Sequence, residues 1–78
     1  MTWKTYLIMY LGTKGNSNMM EIVSRVEEIG FISSLGPADF IYDWKGKKPT
    51  KEDIFKLGDK LMEKLNGSDV TFNLETHD

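Results

Sequence analysis

Residues 31–44 read FISSLGPADFIYDW. Two runs rich in large apolar residues, FISSL over 31–35 and ADFIYDW over 38–44, flank Gly36-Pro37. Proline presets its own backbone angle and has no N–H to give to a ladder, so Gly-Pro reads as a turn and the flanking runs as two strands of a hairpin. In the second run Phe40, Tyr42 and Trp44 alternate with Asp39, Ile41 and Asp43. A side bearing two aspartates makes a poor core, so the three aromatics are expected to point inward.

Working outward, WKTYLIMYL over 3–11 is too short for a good helix and is aromatic and apolar on both alternating sides, which predicts a central strand. Leu7, Met9 and Leu11 form one side; Tyr6, Ile8 and Tyr10 form the other. GTKGNSN, 12–18, breaks the pattern as a loop. Met19, Ile22, Val23, Val26 and Ile29 then recur at helical spacing, with Asn18 and Glu21 spaced as a capping box and Gly30 placed as the stop, so a helix is expected over 18–29. Downstream of the hairpin, KGKKP is a loop and Thr50 caps a second helix, with Glu52 and Asp53 in its first turn. Ile54, Leu57, Leu61, Met62 and Leu65 supply its apolar stripe, and Gly58 costs that helix about 1 kcal/mol unless close packing compensates. Asn66-Gly67 ends it, and VTFNLE over 70–75 alternates with Val70, Phe72 and Leu74 inward.

The order is β-α-β-β-α-β. With right-handed crossovers this is most simply an α+β domain of ferredoxin-like topology, a four-stranded antiparallel sheet with both helices on one face. Seventy-eight residues make a single domain over 1–78. At this size a net stability of only about 5 kcal/mol is expected, so burial by association matters. A composition that is 40 % apolar and 28 % charged is that of a folded chain, not a disordered one. The absence of cysteine excludes disulfides and zinc-thiolate sites and suits a cytoplasmic location. The apolar run from Tyr6 to Leu11 is shorter than a secretory h-region and far below the roughly 20 residues of a membrane span, so no membrane association is expected. A net charge of −2 speaks against a generic nucleic-acid binder.

Catalytic constellations are hard to assemble from these residues. The one histidine, His77, is penultimate and is expected to sit on a frayed end. Ser33 and Ser34 have no cysteine and only that histidine to work with, so no nucleophilic triad forms. Asp39 and Asp43, four apart, should share a strand face some 13 Å apart, too far for a carboxylate pair; solvated or loop-capping aspartates are the expectation. The 12–18 loop lacks both the Gly-Lys-Ser/Thr ending of a phosphate loop and the dinucleotide spacing, although the helix that follows could receive an anion. No catalytic residue, cofactor or metal ligand is assigned.

The more informative feature is the sheet face that the helices leave bare. It should present Tyr6, Ile8 and Tyr10, flanked by Asp39, Ile41 and Asp43, beside a polar last strand showing Thr71, Asn73 and Glu75. Covering Tyr6, Ile8, Tyr10 and Ile41 would remove roughly 300–400 Å² of apolar surface, about 8–10 kcal/mol at most. Association costs on the order of 4–15 kcal/mol, so edge pairing or loops would have to add to it.

At LGPADFIYDW the chain resembles small ferredoxin-like ligand-binding domains, namely the effector domain of leucine-responsive-type regulators and the stand-alone GYD-type domains. These carry a Gly-x-Tyr-Asp turn leading into a hydrophobic strand; Gly36, Asp39 and Phe40-Ile41-Tyr42 echo it, with Ala38 where the pattern has Tyr. The resemblance implies dimerisation through the open sheet face and small effectors bound near that interface. With no helix-turn-helix, the chain would not itself be a transcription factor. The leading expectation is a small non-enzymatic domain that binds itself, another protein or a small effector through Tyr6, Ile8, Tyr10 and Ile41. The alternative is single-stranded RNA binding, in which Tyr6 and Tyr10 stack bases and Lys45, Lys47, Lys48 and Lys51 hold phosphates. That alternative gains if the strand-three aromatics face outward, and it lacks an RNP-type Gly-Phe-Gly-Phe sequence.

Overall fold

The computed structural model describes residues 2–12, 18–36 and 38–78. The elements run β1 (Lys4–Leu11), α1 (Met19–Ile29), β2 (Ile32–Ser33), β3 (Phe40–Asp43), α2 (Lys51–Lys64) and β4 (Val70–His77). The strands form one antiparallel sheet in the order β2-β3-β1-β4. This is the expected β-α-β-β-α-β ferredoxin-like arrangement, with the most apolar strand central. Residues 13–17 and Pro37 lie outside the described residues, and with them most of the loop weighed for anion binding and half of the Gly-Pro turn.

Both helices cover the face built by odd residues of β1. Leu7, Phe31 and Phe40 meet Ile22 and Val26 of α1 and Leu57, Leu61 and Leu65 at α2, all buried. Tyr42 and Trp44 pack against this cluster, with Tyr42 edge-on to both Phe31 and Trp44. The third strand therefore turns its aromatics inward, as the two-aspartate argument requires. Among the described residues one polar side chain is fully buried in this layer. Thr5 is fully buried; its Oγ1 accepts from Trp44 Nε1 at 2.8 Å and lies 2.7 Å from Thr76 Oγ1, so its burial is compensated.

The helix ends follow local chemistry. Asn18 Oδ1 accepts from the N–H groups of Met20 and Glu21, but the Glu21 carboxylate pairs with Arg25 rather than returning to close a capping box. At α2 the box is complete. Thr50 Oγ1 accepts from Asp53 N–H, and Asp53 Oδ2 accepts from Thr50 N–H, which holds the Asp53 carboxyl below its ordinary range. Gly30 at φ 120° stops α1, its N–H bonded to Glu27 O. The helices are tied by Lys64 Nζ to Glu28 at 2.9 Å and by Arg25 to the Lys64 carbonyl at 3.1 Å.

Three strand bounds and the burial of one helix residue differ from the sequence reading. β2 is two residues long rather than five, β3 begins at Phe40, Met62 is exposed rather than part of the buried stripe, and β4 runs on to His77. The last matters most. β1 pairs with β4 without interruption from Lys4↔His77 to Leu11↔Val70, so every residue of β4 has a partner and His77 lies in the ladder rather than on a frayed end.

Candidate functional site: the open sheet face

The register gathers the expected residues. Ile32 pairs with Ile41, Ile41 with Tyr6, and Tyr6 with Glu75, so three apolar side chains and one acid form a row across all four strands. With strands about 4.8 Å apart, Ile32, Ile41 and Tyr6 span roughly 10 Å. Ile8 follows Tyr6 on the same side of β1, and Tyr10 follows Ile8, some 7 Å per step. Tyr6, Ile8 and Ile41 are half-buried by one another and their neighbours, whereas Tyr10 is 56 % exposed near the far end of the strand.

Two members of this face were missed by sequence reasoning. Ile32, 60 % exposed, joins the row because its neighbour Phe31 is buried, which forces alternation through this short strand. His77 stacks flat on Tyr6, ring centroids 4.6 Å apart and planes inclined by 15°. The signal was available: Thr71, Asn73, Glu75 and His77 continue one alternating series past the point where the strand was expected to stop.

Asp39 does not flank the face as expected. Its N–H donates to the carbonyl of Leu7, the residue already paired with Phe40, so two residues of this segment stand against one of β1. That is a β-bulge, and it shifts the alternation by one. Asp39 moves to the helix side, where Oδ2 accepts from Met9 N–H at 2.8 Å and extends the ladder with a side chain. Asp39 lines a cleft of about 340 Å³ there with Met9, Leu11, Met19, Val23 and Phe40. The shift also brings buried Ala38 under the open face, where with Tyr6, Ile8, Glu75 and His77 it bounds a shallow hollow of about 230 Å³. Asp43 stays on the open side, opposite Lys4, and caps the following turn by accepting from Lys45 N–H at 2.7 Å.

The lysines of the alternative lie at the Tyr6 end of the sheet and away from Tyr10. Lys45, Lys47, Lys48 and Lys51 follow β3, at the Lys4 end of β1. Tyr10 lies six residues along β1 from Lys4, about 20 Å away. Lys48 sits over the Trp3 ring at 5.4 Å and Lys51 over Phe55 at 5.8 Å. On β3, where base-stacking rings would be needed, the open side carries Ile41 and Asp43.

No family model, curated protein or solved structure matches this chain. Among the described residues, no group of three or more acidic or histidine side chains could hold a metal ion, and no helix is long and apolar enough to cross a membrane.

Proposed function

We propose that this chain is a non-enzymatic binding domain that docks another protein on its open sheet face. The observation that carries this reading is the cross-strand row Ile32–Ile41–Tyr6 with Ile8 beside it, an apolar centre bordered by Lys4, Asp43, Asn73 and Glu75. Protein interfaces have this anatomy, a dry apolar core within a polar rim. The hollow of about 230 Å³ is small and shallow beside the roughly 300–1,000 Å³ of small-molecule sites, which favours a protein surface over an effector as occupant. Asp43 and Glu75 outnumber Lys4 on the rim, so a partner with a basic rim fits better than a second copy of this acidic face or a nucleic acid. The likeness of residues 35–44 to the effector-type domains supports use of the same face.

The test places a photo-crosslinking residue at Tyr10 and, as control, at Glu27 on the outer side of α1. Each is irradiated in a lysate of the cells of origin. The reading expects a discrete protein adduct at position 10 alone, competed away by excess unlabelled wild type and not by Ile8→Lys. A nuclease-sensitive adduct, an adduct of two copies of this chain, or equal competition by Ile8→Lys would overturn it.

A further inference from the structure

The two edges of the sheet are unlike. β2 offers two residues, whereas β4 offers eight in unbroken register with β1. Natural edges are usually protected by shortness, proline, bulges or inward charges, and β4 has none of these. Its inward side chains are Val70, Phe72, Leu74 and Thr76.

The hydrogen-bond pattern identifies which groups are left over. Leu7 O accepts from Asp39 N–H and Met9 N–H donates to Asp39 Oδ2, so the backbones of Leu7 and Met9 point to the β3 side. Their partners on β4 are Leu74 and Phe72. In an antiparallel pair such residues turn their N–H and C=O away from each other. Phe72 and Leu74, and by alternation Val70 and Thr76, therefore aim their backbone groups outward from the sheet.

The helix above supplies a second layer to this edge. One flank of α2 faces β3 and α1: Asp53, Lys56 and Lys60 border a groove with Tyr42 and Trp44, and Lys64 holds Glu28. The opposite flank carries Phe55 and Met62, two turns apart and 61 % and 62 % exposed, with Gly58 between them over Leu74. Two large apolar side chains thus stand exposed beside the unpaired strand.

We infer that β4 pairs with β4 of a second copy, antiparallel about a two-fold axis at Asn73. In that register Phe72 pairs with Leu74 of the second copy and Val70 with Thr76, so seven of the eight residues, 70–76, overlap, and the outward N–H and C=O groups of Val70, Phe72, Leu74 and Thr76 find partners. Asn73 stands opposite itself, and Glu75 stands opposite Thr71, so no like charges are opposed. The two α2 helices then bring Phe55 and Met62 together across the axis. A strand of this length, about 26 Å, and two layers about 20 Å thick bury on the order of 500 Å² per copy, near the ~1,000 Å² total at which specific interfaces begin. Self-complementarity of one strand under a two-fold axis singles out a second copy as the occupant.

Light scattering from micromolar to millimolar protein tests this. Wild type and Ile8→Lys should both rise from 9.0 kDa to twice that mass with concentration. Asn73→Lys, Asn73→Glu and Met62→Glu should each stay at the single-chain mass, and mixing the Asn73→Lys and Asn73→Glu chains should restore the dimer, which also shows that both fold. A wild type that stays monomeric overturns the inference, as does an Asn73→Lys chain that still dimerises. Dissociation by Ile8→Lys but not by Met62→Glu would place self-association on the open face instead and overturn both this inference and the proposed use of that face for another protein.

Discussion

Leu7 and Ile8 are neighbours in one strand, yet they belong to two different surfaces. Leu7 is fully buried between the helices and the sheet; Ile8 is half-buried and lines the open-face hollow with Tyr6, Ala38 and the last strand. The side chains are isomers, so the difference lies in what covers them. The helix-covered face converts apolar area into stability. The open face leaves its apolar row uncovered, and that row is the surface proposed above for a partner.

The sharpest way to break this comparison is to truncate each neighbour in turn. Leu7→Ala removes a side chain from a site walled by β3 and both helices, and buried leucine truncations cost about 3–5 kcal/mol. For a domain holding only about 5 kcal/mol, that leaves roughly 0–2 kcal/mol, so the urea midpoint should fall to less than half its wild-type value. Ile8→Ala should cost no more than about 1 kcal/mol in the same titration, since its covering is partial. Equal losses would mean that both faces contribute alike to the fold and that the open face is not set aside for binding.

A smaller effect comes from Thr5, the fully buried polar residue of the covered face. Thr5→Val keeps shape but leaves Trp44 Nε1–H and Thr76 Oγ1 without the oxygen they share. Stranding buried polar groups costs about 1–3 kcal/mol, or roughly 4–8 °C in Tm per kcal/mol for a domain this small. On the open face Thr71→Val, one strand away and exposed, should move Tm by no more than a degree or two.

These contrasts explain how much could be read beforehand. Element order, the inward aromatics of 40–44 and the placement of Tyr6, Ile8, Tyr10 and Ile41 on the bare face all follow from local periodicity, which the residues themselves carry. What periodicity could not reveal was the bulge at Asp39. An inserted residue leaves no mark on the one-dimensional alternation, because it exists only relative to the partner strand. It sent Asp39 to the helix side and Ala38 to the open side. The length of β4 was misread for a related reason. A terminal His looks frayed by position, but its order comes from Lys4 opposite and Tyr6 beneath, both some seventy residues away. Met62 was assigned to the core because a helical stripe has a width that sequence does not give; here burial is confined to Leu57, Leu61 and Leu65, and the flank beyond them overhangs the β4 edge.

That flank offers the smallest test, and one of opposite sign. Gly58 lies within α2, where glycine lowers stability relative to alanine by roughly 0.5–1 kcal/mol. Such a glycine is justified when a neighbour approaches too closely for a Cβ. Here a Cβ would meet Leu74 Cδ1 at 3.8 Å, an ordinary van der Waals contact, so the space for it exists. Gly58→Ala should therefore raise Tm by a few degrees while leaving the open face unaltered. Read on dilute monomer, the gain belongs to the helix alone. If Tm falls instead, the helix sits closer to β4 than this contact implies, and the covered face is packed more tightly along its Leu74 side than along the groove at Tyr42 and Trp44.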